Sequence, residues 1–208
     1  MRLLLIRHGE STGNFEERFQ GKKEYQLTDR GCKQAQNLAE KLRNESFDAV
    51  YTSSLSRAHD TAKEICKYHS LDPIVDELLS EYCWGVIEGH TREEIKDKYP
   101  DLGMKLEEDF FATSIPEEEG MMNLKNRVSD FYDKIFSNYN GNLNRPNIAV
   151  VSHGRVLGGL VVYLTGYSFY HTPWPYTFSN ASITEISYWY EYDKGRIVKM
   201  NDTSHLFN

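Results

Sequence analysis

Apolar and polar positions fall in blocks along the chain. Leu3-Leu4-Leu5-Ile6 is a short, unbroken apolar run that stops at Arg7-His8-Gly9 and passes into a polar loop. A run of that length and setting reads as a strand buried on both faces, over residues 2–7. The layout returns at Asn147-Ile148-Ala149-Val150-Val151, which stops at Ser152-His153-Gly154. Between these two strands the period changes. Thr28 reads as a helix N-cap, with Ala35, Leu38, Ala39 and Leu42 on one face behind it. Residues 48–52 read as a strand, and Ser53-Ser54 opens a helix to about Tyr68 with Ala58, Ala62, Ile65 and Cys66 turned inward. Pro73-Ile74-Val75 is a short strand.

Residues 82–123 break this rhythm. They carry Trp84, short helical stretches near 91–99 and 103–112, and the acidic patches Glu107-Glu108-Asp109 and Glu117-Glu118-Glu119. We read them as an insert lying over the sheet. Helical spacing resumes over 124–139 with Val128, Phe131, Ile135 and Tyr139. A loop follows from Asn140 to Pro146. After the strand at 147–152, a helix over 154–165 buries Leu157, Leu160, Val161 and Leu164, and Gly158-Gly159 would let it approach the sheet. Residues 182–191 and 196–200 read as an antiparallel hairpin turning at Asp193-Lys194-Gly195. The βαβα alternation predicts an α/β fold: a three-layer αβα sandwich around a mostly parallel sheet, with an antiparallel edge and a cap insert at about 82–123.

Composition narrows the function classes. The chain has 208 residues, enough for one domain with an elaborated insert. An apolar share of 39% and a mean hydropathy of -0.61 suit a soluble globule. A net charge of -7 speaks against nucleic acid or an acidic membrane as partner, although a local cationic pocket is compatible with it. No apolar stretch approaches the roughly 20 residues of a membrane span. Met1 leads straight into the first strand, and Cys32, Cys66 and Cys83 are scattered, so reduced thiols and a cytoplasmic location are expected. A homodimer is the assembly considered.

The candidate chemistry sits at the strand ends. An imidazole there can be a nucleophile, a base or a metal ligand. Arg7 beside His8 disfavours a dication and favours phosphate, which a guanidinium meets bidentately. Gly9 and Gly13 would free backbone N–H groups for an anion, and Asn14 and Gln20 add neutral donors. Arg57 lies near the start of its helix, where an anion is favoured. Taken singly, each stretch also fits a core-lining histidine or a solvated arginine. Glu81 is one of 31 acidic residues, and Glu88 competes with it. Cleavage of a phosphate ester needs a proton for the departing oxygen, and bound phosphate with aromatic surface at Tyr82 and Trp84 would keep a carboxyl group protonated.

Arg7-His8-Gly9-Glu10-Ser11, Leu27-Thr28-Asp29-Arg30-Gly31, Ser53-Ser54-Leu55-Ser56-Arg57-Ala58, Glu81 ahead of Gly85 and Glu88-Gly89, and Ser152-His153-Gly154 together resemble the histidine phosphatase superfamily, the phosphoglycerate-mutase-like proteins. The resemblance runs in order over residues 2 to about 200. It implies that His8 accepts the phosphoryl group as phosphohistidine, that Arg7, Arg57 and His153 complete the phosphate pocket with Asn14, and that Glu81 donates the proton and later activates water. Gln20 and Gly21 of the first loop, and Gly154 of the last segment, join the expected phosphate or substrate contacts. No metal or other cofactor is implied.

The family holds both phosphatases and cofactor-dependent mutases. Mutases of the family usually carry a basic insert after the acid-bearing segment, and here 82–123 is acidic, with only Arg92 and a few lysines as cations. We therefore expect a metal-independent phosphomonoesterase for a small phosphate ester, rather than a phosphoglycerate mutase. A phosphate-binding module without turnover is a third reading, disfavoured because a dead pocket needs no proton donor. Two departures concern substrate rather than pocket. Gly85-Val86-Ile87-Glu88-Gly89 stands where the family often has Gly-x-Trp-x-Gly, and Gly120-Met121-Met122 where it often has Gly-Glu-Ser. Phe15, Phe19, Tyr82, Trp84, Phe110 and Phe111 point to a pocket for an apolar or ring-bearing leaving group, or to simple packing of the cap.

Overall fold

Successive residues of a strand point to opposite faces, and both faces of this sheet are covered. In the computed structural model, which describes residues 1–139, 145–169 and 174–207, the first strand sends Leu3 and Leu5 into one apolar cluster and Leu4 and Ile6 into another. All four are at most 1% exposed, and each contributes about 1.5–3 kcal/mol by leaving water.

The elements run in order β1 (Arg2–Arg7), α1 (Thr12–Phe15), α2 (Asp29–Leu42), β2 (Ala49–Thr52), α3 (Ser56–Cys66) and β3 (Ile74–Val75). Then come α4 (Arg92–Lys98), α5 (Pro100–Glu108), α6 (Met121–Tyr139), β4 (Asn147–Ser152), α7 (Gly154–Thr165), β5 (Ile183–Trp189) and β6 (Lys194–Asp202). The six strands form one sheet in the order β3-β2-β4-β1-β5-β6. The β3–β2, β2–β4 and β4–β1 pairs are parallel, while β5 pairs antiparallel with both β1 and β6. Helices α2 and α3 cover one face and α6 and α7 the other. This is the expected α/β sandwich with its antiparallel edge.

Local differences from expectation have identifiable causes. The loop after β1 contains α1, whose N-cap Ser11 accepts the Asn14 backbone N–H while Asn14 Oδ1 accepts the Ser11 N–H, both at 3.2 Å. Helix α3 starts at Ser56, not at Ser53-Ser54, because the Ser53 hydroxyl is engaged elsewhere and Leu55 takes the cap position without a side-chain bond. Helix α5 begins at Pro100, earlier than 103, since proline is preorganised for the first helical position. Helix α6 begins at Met121. The hairpin turns through a short 3-10 segment at Tyr190–Tyr192 into Asp193, whose φ of 49° is left-handed. The expected loop from Asn140 to Pro146 lies for the most part outside the described residues. Gly158 and Gly159 admit neighbours other than the sheet: a Cβ at Gly158 would meet the Trp174 ring at 2.8 Å, and one at Gly159 would meet Phe169 and Val128 at 3.3 Å.

The segment between β3 and α6 builds a smaller apolar cluster of its own. Ile87, Ile95, Leu106 and Ile115 are buried there, with Phe19, Trp84 and Phe110 packed against them. No helix among the described residues is long and apolar enough to cross a membrane.

One close approach fixes the loop that leaves β1. A Cβ on Gly31 would stand 1.9 Å from the Glu10 carbonyl oxygen, and one on Gly9 would stand 2.6 Å from the Gly31 carbonyl oxygen. Gly31→Ala is expected to destabilise the protein by about 2 kcal/mol or more. Denaturant unfolding checks this, and an unchanged midpoint would show that the two backbones are not locked together.

Candidate active site

Parallel pairing sets Arg7 of β1 opposite Ser152 of β4. The next residue on each strand is a histidine, so His8 and His153 emerge side by side at the carboxyl edge of the sheet. Their ring centroids are 5.1 Å apart with planes inclined by 58°. His8 is 2% exposed and His153 is fully buried. The neighbouring strand β2 leads into α3, whose second residue is Arg57, 1% exposed.

Hydrogen bonding fixes the His8 tautomer. His8 Nδ1 lies 2.6 Å from the Gly9 carbonyl oxygen. A carbonyl only accepts, so Nδ1 carries the proton and Nε2 keeps its lone pair. His153 Nε2 lies 2.9 Å from Ser53 Oγ, which already accepts the Leu55 N–H at 3.2 Å. The Ser53 hydroxyl retains its proton and a second lone pair, so this contact suits either tautomer of His153. His153 Nδ1 has no hydrogen-bond partner among the described residues.

The guanidiniums are held from behind by carbonyls. Arg57 donates from Nη1 to the Lys23 carbonyl at 2.9 Å and from Nη2 to the Gly21 carbonyl at 2.8 Å. Arg7 donates from Nη1 to the Phe178 carbonyl. Neither Nε has a partner among the described residues. Their full positive charge therefore remains to act on the site. Burial, and then the charges of Arg7 and Arg57, hold the His8 imidazole pKa well below its ordinary value. His153 is lowered in the same way by burial, Arg57, His8 and Arg7. Burial pushes the Glu81 carboxyl up, against the Tyr82 N–H that it accepts at 2.7 Å and against Arg57 and Arg7.

A cavity of about 160 Å³ is lined by Arg7, His8, Asn14, Gln20, Gly21, Arg57 and Glu81, together with Arg18, Phe19 and Trp84. Seven of the expected site residues thus meet around one space. His153 stands behind His8, and Gly154 lines the neighbouring cavity instead. The Asn14 amide is oriented from behind, with Oδ1 accepting the Asn180 side chain at 3.0 Å, so its NH₂ group is left for the cavity. Asn180 also donates to the His8 carbonyl at 3.1 Å. Nothing in the sequence pattern marked Asn180, 172 positions from His8.

One sequence reading is corrected. The Gly9 N–H does not await an anion; it donates to Thr61 Oγ1 at 3.1 Å, and Gly9 is needed for the approach of Gly31. Gly13 likewise makes room for Gln20, whose side chain a Cβ would meet at 2.6 Å. Among the aromatics, Phe15 is 76% exposed and Tyr82 belongs to the core, while Phe19, Trp84, Phe110 and Phe111 line cavities. Glu88 is occupied in holding backbone, accepting the Trp84 N–H at 2.9 Å and the Lys22 N–H at 3.1 Å.

Comparison with known proteins agrees with this geometry. Residues 3–203 match the histidine phosphatase superfamily (branch 1). Phosphoserine phosphatase 1 of Hydrogenobacter thermophilus is 31% identical over 99% of this chain and 94% of its own. A probable phosphoglycerate mutase of Yersinia pestis is 28% identical over 99% and 95%. The crystal structure of the alpha-ribazole phosphatase of Shigella flexneri superposes with a TM-score of 0.85 at 29% identity, covering 97% of this chain and 96% of that one. The chain belongs to the histidine phosphatase superfamily and is an enzyme of the histidine phosphatase type.

The lowered imidazole pKa values have a sign that stability measurements can read. Below pH ~6.5 the unfolded chain takes up protons at these histidines that the folded chain refuses, so stability falls with pH. Between pH 7 and 5 the melting temperature of wild type should drop, and the drop should be shallower in His8→Asn. Equal slopes would show that His8 is not held neutral.

Proposed function

We propose that this histidine phosphatase is a metal-independent phosphomonoesterase acting on small phosphorylated metabolites, with His8 as nucleophile and Glu81 as proton donor. The observation that carries the reading is the meeting of Arg7, His8, Asn14, Gln20, Arg57 and Glu81 around one phosphate-sized cavity, with both arginine Nε atoms unpartnered. Two guanidiniums beside His8 suit a tetrahedral anion and repel a dication, which supports chemistry without a metal.

In this mechanism the ester phosphate sits against Arg7, Arg57, Asn14 and Gln20, with His153 behind His8. Nε2 of neutral His8 attacks phosphorus in line; the N–P bond forms as the ester P–O bond breaks. Glu81, whose carboxyl pKa burial pushes up, gives its proton to the departing oxygen, and the alcohol leaves. Water then attacks phosphorus on the phosphohistidine and passes a proton to the Glu81 carboxylate. The N–P bond breaks and orthophosphate departs. The guanidiniums meet the charge that spreads over the equatorial oxygens in both steps. Gly21 contributes indirectly, since its carbonyl anchors Arg57. The two sheet-face clusters and the smaller cluster around Ile95 support one catalytic domain with residues 82–123 as its cap.

p-Nitrophenyl phosphate should be hydrolysed in the presence of EDTA, and His8→Ala should lose at least about 10³-fold in kcat. Activity abolished by chelation would overturn the mechanism. Phosphoryl transfer from 2,3-bisphosphoglycerate to phosphoglycerate outpacing release of phosphate would assign the mutase reaction instead.

Glu81→Gln should slow an alkyl phosphate by about 10²-fold or more, and p-nitrophenyl phosphate far less, because nitrophenolate departs with little protonation. Equal losses on the two esters would remove Glu81 as the acid.

A further inference from the structure

A second cavity, of about 390 Å³, adjoins the first and shares Phe19, Glu81 and Trp84 with it. Phe110, Phe111, Trp174 and Tyr176 wall it, and Arg155 reaches into it from α7. The Arg155 guanidinium carbon lies 4.8 Å from the Trp174 ring centroid, 5.7 Å from Tyr82, and 5.8 Å from Trp84 and from Phe111. Its Nε is buried without a partner among the described residues, and its Nη2 donates to Met121 Sδ at 3.1 Å. Among the described residues no carboxylate pairs with it, although the chain holds 31 acidic residues.

A guanidinium in such a place is expensive unless an anion comes to it. Ring faces attract the cation, but they cannot accept its in-plane N–H bonds. Burial already draws the Arg155 pKa down. The missing acceptor is on the side of the site where the ester's alcohol must lie, since Glu81 borders both cavities.

We propose that Arg155 is a specificity residue that binds a carboxylate on the leaving alcohol, so that the preferred substrates are phosphate monoesters of hydroxy acids whose carboxylate is carried on an apolar or aromatic frame. This rests on the phosphatase reading above. A planar carboxylate matches the guanidinium fork bidentately. A second phosphoryl group fits less well. It would bring two charges to a cavity bordered by Glu81, with Glu118 behind the Tyr82 ring as acceptor of its hydroxyl at 2.8 Å. Among the described residues the only other cation lining that cavity is Arg92, exposed at its rim and lying 5.5 Å from the Phe19 and Phe110 rings. The aromatic walls offer flat apolar surface to the rest of the alcohol.

The test compares 4-(phosphonooxy)phenylacetate with p-tolyl phosphate, two esters whose phenols depart about equally well and which differ by one carboxylate. In wild type, kcat/KM should favour the carboxylated ester by about 10-fold or more, through KM. The ratio should fall towards 1 in Arg155→Met, which keeps a long apolar side chain among the rings, and should be intermediate in Arg155→Lys. A wild-type ratio near 1, or a ratio retained in Arg155→Met, overturns the assignment. Binding of the products gives a second readout that needs neither turnover nor a variant. Trp84 and Trp174 flank Arg155, so 4-hydroxyphenylacetate should quench tryptophan emission at about 10-fold lower concentration than p-cresol. Equal quenching overturns the Arg155 assignment. Failure to hydrolyse either ester, with selective quenching intact, would instead overturn the phosphatase reading and leave Arg155 as a carboxylate site.

Discussion

Positive charge gathered in a dry place is the condition around which this molecule is arranged. Two guanidiniums stand beside two buried imidazoles at the carboxyl edge of the sheet, with Glu81 as the carboxyl group on the same cavity. Desolvation and mutual repulsion hold the imidazole pKa values well below the ordinary value and so favour the neutral rings. The arginines cannot shed their charge in the same way. They are held instead by backbone carbonyls, which accept their N–H groups without neutralising them. An arginine paired with a carboxylate would be more comfortable and less able to bind phosphate.

Such a cluster persists only if its backbone cannot relax. The two apolar layers supply that rigidity, because β1 and β4 are packed from both faces and paired along their length. Small polar links finish the frame. Thr61 on α3 donates to the Arg57 carbonyl at 2.7 Å and accepts the Gly9 N–H at 3.1 Å, which ties the arginine-bearing helix to the loop after His8. Asn180 ties the approach to β5 to the same loop. Each buried polar atom in these links is satisfied, so the frame is specific as well as stable.

The neighbouring aromatic cavity has the opposite character, and the contrast explains Glu81. A carboxyl group between a cationic pocket and ring surface feels two opposing influences: the arginines favour its anion, and burial against the ring-lined side favours its acid. Burial prevails. The carboxyl group whose pKa is raised in this way lines both cavities. Arg155 stands among the rings of the neighbouring cavity, a cation that no carboxylate pairs with among the described residues.

Much of this was written in local pattern. The unbroken apolar runs before His8 and His153, the helical stripes behind Thr28 and Gly154, and the hairpin at the end each depend on neighbours within a few positions, so periodicity alone predicts them. Arg7, His8 and Arg57 were also legible, because strand ends and helix starts are where α/β sheets present chemistry, while Asn14, Gln20, Gly21 and Glu81 gained their weight from the family resemblance. What the sequence could not decide was adjacency. The placement of β4 between β1 and β2, which brings His153 against His8, follows from long-range pairing across 145 residues. The true work of Gly9, Gly31 and Gly158 is close contact with distant atoms, and Asn180, Thr61 and Arg155 matter only through partners far away in the chain. Local sequence specifies backbone conformation and which faces are apolar; which polar groups then share one buried space is settled by packing in three dimensions.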